Sequence, residues 1–151
     1  MKNMMLVMLF LVACAVPAKA QFGVPVQTVY DSGVTYTLFS SGNITKSGGW
    51  GFGNQLIDNG TGTTMIAAGG GRLYVLKNNG NVWMYDGSFR MIDNGTGSSR
   101  IWVEFNTVFV QKNNGQVFQC VDPYSMQWQP ANGGFRNFVR AANFEKLDPT
   151  K

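Results

Sequence analysis

The residues able to do chemistry in this chain are few, and their types narrow the choice. There is no histidine in 151 residues. Ser-His and Cys-His nucleophilic catalysis and the usual zinc sites all need an imidazole, so they drop out. The carboxylates are Asp31, Asp58, Asp86, Asp93, Glu104, Asp122, Glu145 and Asp148, most of them at turn sequences. Asp58 and Asp93 open two matching loops, Asp58-Asn59-Gly60-Thr61-Gly62 and Asp93-Asn94-Gly95-Thr96-Gly97. A glycosidase needs two carboxylates flanking one bond; residues in equivalent repeat positions sit one repeat apart instead. Calcium takes about six to eight oxygens, usually with several carboxylates, and each loop offers one. Ordinary turn chemistry accounts for both loops, with Asp and Asn binding their own backbone and Gly taking positive φ. The alternative is a repeated polar pocket at a repeat junction that hydrogen-bonds sugar hydroxyls, which makes Asp58, Asn59, Asp93 and Asn94 candidate ligand contacts. No metal or cofactor is expected.

Aromatic residues sort by whether the repeat requires them. Trp83 and Phe118 are equivalent, as are Tyr36, Tyr74 and Phe109, and all read as core. Trp50 aligns with Tyr85 and reads as core too. Trp102 and Trp128 fall where the second repeat has Ala67 and Asp93, so they are candidates for stacking on a sugar ring, the alternative being that each fills a local gap. Cys120 takes the place of Tyr85 in a strand and reads as a buried apolar thiol, with an intermolecular disulfide as the alternative.

These residues are carried by a repeat. Leu56 to Tyr85 recurs as Met91 to Cys120 at a spacing of 35 without a gap, Ile57 on Ile92, Gly60 on Gly95, Asn79-Gly80 on Asn114-Gly115 and Val82 on Val117. Repeats of this length build solenoids, propellers or related arrays. A diverged copy precedes them: Val34 to Leu38 aligns with Arg72 to Leu76 at a spacing of 38, with three residues inserted around Ser47-Gly48-Gly49. The repeats span about 24–60, 61–95 and 96–133, a partial fourth covers 134–144, and 145–151 is a polar tail. In the second repeat, strands are predicted at Thr64–Ala68, Arg72–Lys77, Asn81–Tyr85 and Phe89–Ile92. Gly69-Gly70-Gly71 and Asp86-Gly87 turn the chain, and Asn79-Gly80 is expected to supply the positive φ angles of a tight hairpin. No segment holds a 3.6-residue apolar period, so no helix is expected after the leader. Leu73 to Leu76 and Val82 to Tyr85 are apolar on both faces, where a sheet with one wet face would alternate. Each sheet therefore needs a neighbour on both sides, as blades of a β-propeller have. The fold class predicted is all-β, a propeller-like array of three four-stranded repeats plus a partial fourth; a β-trefoil is the alternative.

Residues 1–20 read as a secretory signal peptide: Lys2, an apolar run from Met4 to Val16, and Ala18-Lys19-Ala20 before Gln21. Leu11-Val12-Ala13-Cys14 also resembles a lipobox, which would lipidate Cys14 and anchor the chain in a cell envelope. Without Lys2 and Lys19, ten of the twelve basic side chains remain against eight acidic ones. They form no cluster, so nucleic-acid binding has no electrostatic support. Asn43-Ile44-Thr45, Asn59-Gly60-Thr61 and Asn94-Gly95-Thr96 are sequons that matter only in a eukaryotic secretory pathway.

The run Gly71-Arg72-Leu73-Tyr74-Val75-Leu76, then Asn79-Gly80-Asn81-Val82-Trp83-Met84-Tyr85-Asp86-Gly87, resembles the repeat of tectonin-type β-propellers, over about Val34 to Gln129. That resemblance implies a secreted or displayed, lectin-like, non-catalytic module that recognises glycans or surface polymers. A structural or assembly role at the cell envelope is the alternative, and a hydrolase is the third reading. Propellers of that family commonly have more blades than this chain supplies. Its first and last sheets are expected to show an apolar face and a free edge, and identical chains, two being the simplest number, are expected to close one ring.

Overall fold

The computed structural model describes residues 22–49, 51–60, 62–95 and 97–131. The leader with Cys14, Trp50, Thr61, Thr96, the expected fourth unit and the tail lie outside them. The elements from Pro25 to Pro130 are all strands, twelve in number. Blade 1 comprises β1 (Pro25–Asp31), β2 (Val34–Phe39), β3 (Ile44–Gly48) and β4 (Gly51–Asp58). Blade 2 comprises β5 (Thr63–Gly69), β6 (Arg72–Lys77), β7 (Val82–Tyr85) and β8 (Phe89–Asp93). Blade 3 comprises β9 (Ser98–Glu104), β10 (Thr107–Lys112), β11 (Val117–Cys120) and β12 (Gln129–Pro130). Each blade is a separate antiparallel meander with its strands in chain order. A trefoil shares strands between repeats in one barrel, so this topology is the propeller-type array. The first strands β1, β5 and β9 pack side by side and form the inner edge.

Packing follows from strands that are apolar on both faces. On one face of blade 2, Tyr74, Leu76 and Met84 are buried against Ile101, Val108 and Val110 of blade 3. On the other, Ile66, Leu73 and Val75 are buried against Tyr36, Leu38 and Ile44 of blade 1. Burying each such side chain contributes about 1.5–3 kcal/mol, so neither side of blade 2 can be left wet. Blade 1 departs from that pattern. Its outward face carries the cross-strand row Thr28, Thr37 and Thr45 and the row Tyr30, Thr35 and Ser47. The outward face expected to be apolar therefore mixes threonine with Tyr30, Phe39 and Leu56, of which Tyr30 and Leu56 are 70% and 42% exposed.

Register explains three further differences. Tyr85 lies opposite Leu73, and its counterpart opposite Thr35 is Ser47; Ser47, not Trp50, occupies the Tyr85 position, and the insertion is taken up in longer strands, β3 and β4 having five and eight residues where β7 and β8 have four and five. Phe118 pairs with Pro130 and Gln119 with Gln129, as Trp83 pairs with Met91 and Met84 with Arg90. Trp128 is thus the counterpart of Phe89, not of Asp93, and it packs against the core between blades 2 and 3. In the β6–β7 hairpin only Gly80 takes positive φ, at +83°; Asn79 instead accepts the Asn81 N–H through its side chain at 3.0 Å. Any Cβ on Gly80 would stand 2.7 Å from the backbone nitrogen of Gly97, so this glycine also lets neighbouring blades approach.

Candidate functional site

The two Asp-Asn-Gly loops are built as junctions between blades. Asp58 ends β4 and Asp93 ends β8, so each carboxylate stands where the chain leaves the outer edge of one blade for the inner strand of the next. One oxygen of each closes an Asx turn, Asp58 Oδ1 accepting the Gly60 N–H at 2.6 Å and Asp93 Oδ1 the Gly95 N–H at 2.8 Å. The other oxygen receives a lysine from the following blade: Lys77 Nζ on Asp58 at 2.7 Å and Lys112 Nζ on Asp93 at 2.6 Å. Each lysine also donates to a hydroxyl beside it, Lys77 to Thr63 Oγ1 and Lys112 to Ser98 Oγ. The four charged side chains are 12–20% exposed. At that depth the pair is worth more than a surface salt bridge, because solvent screens it less. The lysines escaped the sequence reading, although Lys77 and Lys112 each follow their aspartate by 19 residues, an identical spacing in both copies.

At the junction between blades 2 and 3 lies a shallow, open cleft on the surface. A space of about 440 Å³ lies between Gly95, Gly97, Asn113, Asn114, Gln116, Lys112 and Phe118. A smaller recess of about 150 Å³ shares Lys112 and Phe118 with it and adds Asp93 and Trp128. The walls thus combine side-chain amides with two aromatic rings. Asn114 Nδ2 donates to Gln116 Oε1 at 2.9 Å and Asn114 Oδ1 accepts the Gln116 N–H at 3.0 Å, so the two exposed amides are joined to each other. Trp128 Nε1 donates to the Ile92 carbonyl at 2.9 Å, fixing its ring beside the recess. Chemically the cleft offers planar hydrogen-bonding groups and ring faces, the pair of features a polyhydroxylated ring needs.

The expected ligand residues separate in space. Asp93 and Trp128 line the recess. Asn94 is exposed on the loop beside it, and Asp58 and exposed Asn59 belong to the equivalent junction of blades 1 and 2. Trp102 is elsewhere, on inner strand β9, where it stacks on Phe109 with ring centroids 5.3 Å apart and planes 12° off parallel. Asn114, Gln116 and Phe118 were not foreseen as ligand residues; their signal is their place on the hairpin facing the Asp93 loop. Cys120 is buried and reduced, and burial pushes its thiol pKa up, so it is not a thiolate nucleophile at neutral pH. Among the described residues no group of three or more acidic or cysteine side chains could hold a metal ion.

Neither protein-family models nor curated protein sequences give a match to this chain. Solved structures do. Human WBSCR16 superposes with a TM-score of 0.55 at 13% identity, over 64% of this chain and 33% of that one. A chain of a nidogen/laminin complex gives 0.53 at 11% identity, over 70% and 46%. YCF48 bound to a D1 peptide gives 0.53 at 14% identity, over 72% and 39%. WBSCR16 and YCF48 are propeller-type folds, so the likeness establishes the architecture. This chain spans from a third to under half of the length of these structures.

Proposed function

We propose that this chain is a secreted or surface-displayed, non-catalytic binding module that recognises glycans through the cleft between blades 2 and 3. The observation that carries the reading is the wall of that cleft: the paired amides of Asn114 and Gln116 set beside the rings of Phe118 and Trp128. The tectonin-like repeat supports the same class of ligand. Catalysis finds no support at the junctions, where Asp93 already binds Lys112, Ser98 and the Gly95 N–H. A carboxylate so engaged serves to join blades, not to move protons to a substrate.

The test is a glycan array probed with the protein lacking residues 1–20. Binding to a defined set of oligosaccharides is expected. Phe118→Ala and Gln116→Ala should weaken it about 10-fold or more, as losing a stacking face or one to two hydrogen bonds does. Trp102→Ala should leave it unchanged. Absence of binding by the unsubstituted protein across the array would overturn the proposal.

A further inference from the structure

The end of the blades opposite the cleft is built differently. Strands β5 and β9 start at the end of the blades that holds the cleft and run to this far end, where β5–β6 and β9–β10 turn. All four non-glycine residues with positive φ among the described residues sit in its loops: Ser32, Phe105, Asn106 and Met126. Two of these are large apolar residues. Phe105 has φ +47° and is 99% exposed; Met126 has φ +52° and is 46% exposed. In blade 2 the turn matching Phe105-Asn106 is Gly70-Gly71, which takes positive φ without steric cost. A phenylalanine there is held in an unfavourable backbone region and is also fully in water, so neither local conformation nor core packing accounts for it.

Phe105 has company. Asn106 and Arg72 both approach Gly70. The Arg72 guanidinium lies 5.0 Å and the Arg90 guanidinium 5.8 Å from the ring centre of Tyr124. Tyr124 donates its hydroxyl to Asp86 at 2.6 Å, and Val121 and Met126 flank it on the same connection, both exposed. Phenylalanine, tyrosine, methionine and arginine are the side chains enriched at protein–protein interfaces, where lysine is depleted. Of the described lysines, Lys77 and Lys112 stand at the cleft end of the blades and Lys46 within β3, and none stands in the loops of this end. Among the described residues here, Arg72 and Arg90 stand against Asp31, Asp86, Glu104 and Asp122, an acidic excess. That excess opposes an anionic membrane and a second copy of the same face, and it favours a basic partner.

We infer that this end is a protein-docking surface, with Phe105 as its anchor, for a partner that offers an apolar pocket rimmed by lysine or arginine. The surface is independent of the glycan cleft, so either can fail without the other.

The experiment is selection of a random dodecapeptide library on the immobilised protein, with salt titration of the selected peptides. Enriched peptides are expected to combine an apolar cluster with Lys or Arg, to lose at least 10-fold in affinity on Phe105→Gly, and to weaken with salt. Phe105→Gly should keep or raise Tm, because glycine suits this backbone, so that loss of binding is not unfolding; Phe118→Ala should leave peptide binding intact. No enrichment, acidic consensus peptides, or equal binding by Phe105→Gly would overturn the inference. So would Phe105-dependent binding to phosphatidylglycerol or phosphatidylcholine vesicles, or Phe105-dependent self-association in sedimentation.

Discussion

At the scale of single residues, the chain places its charges where they join pieces together. The Asp–Lys pairs of the two junctions were half legible in the sequence. The aspartates stood out because Asp-Asn-Gly is a turn signal, but a partner 19 residues downstream lies beyond any local pattern. Only the packing of one blade on the next brings it near. Trp128 shows the same limit differently: the longer β11–β12 connection shifts its register against the second repeat, so linear alignment set it opposite the wrong residue. Asp86 carries a testable consequence of its own contact. The Tyr124 hydroxyl holds its carboxyl below the usual carboxylate range. A carboxylate with a lowered folded-state pKa contributes stability above its unfolded value, and that contribution is lost as pH falls through the folded one. Tyr124→Phe is expected to return the Asp86 titration, followed by NMR of the carboxyl carbon, toward the ordinary value. An unchanged titration would mean that the hydrogen bond does not form in solution.

Elements were the most legible scale. β6 begins and ends where the sequence placed it, β7 and β8 differ by a residue at one end and β5 by a residue at each end, because Gly and Asn punctuate strands that are apolar throughout. What the pattern of apolar residues did not disclose is how inner strands of neighbouring blades are tied. The Gln27 side chain on β1 donates to the Ile66 carbonyl at 2.7 Å and accepts the Ile66 N–H at 2.8 Å. It thereby supplies β5 with the hydrogen bonds a flanking strand would make. At the next junction the equivalent residue is Met65, whose sulfur lies 3.5 Å from the Ile101 nitrogen, a much weaker acceptor. Gln27→Ala strips both partners from a buried peptide group and should destabilise by about 1–3 kcal/mol. Met65→Gln should be neutral or stabilising, since it installs the same bracket at the second junction. Urea unfolding midpoints measure both, and a Gln27→Ala midpoint equal to that of the unsubstituted protein would show that the bracket contributes nothing.

At the scale of the whole molecule, the open question is how the array closes. Propellers close with about four to eight blades, and three are described here. The sequence led to an expectation of two bare apolar end faces that force identical chains together. The first sheet tempers this. Its outward face is rich in threonine, which tolerates water through its hydroxyl and packs through its methyl. That face still has a receptive feature, a recess of about 450 Å³ bounded by Phe22, Thr37, Phe39 and Thr45. A surface of this mixed kind supports association without requiring it, as transient interfaces do. Identical chains are therefore expected to assemble reversibly, two copies giving a ring of about six blades, within the usual range. Light scattering over a dilution series in the micromolar range should show mass falling from dimer to monomer. Thr37→Arg, which fills the recess with a charged side chain, should shift that midpoint to higher concentration by 10-fold or more, and Phe105→Gly should not move it. A constant monomer mass would overturn closure by a second copy, and a constant dimer mass insensitive to Thr37→Arg would place the contact on another surface.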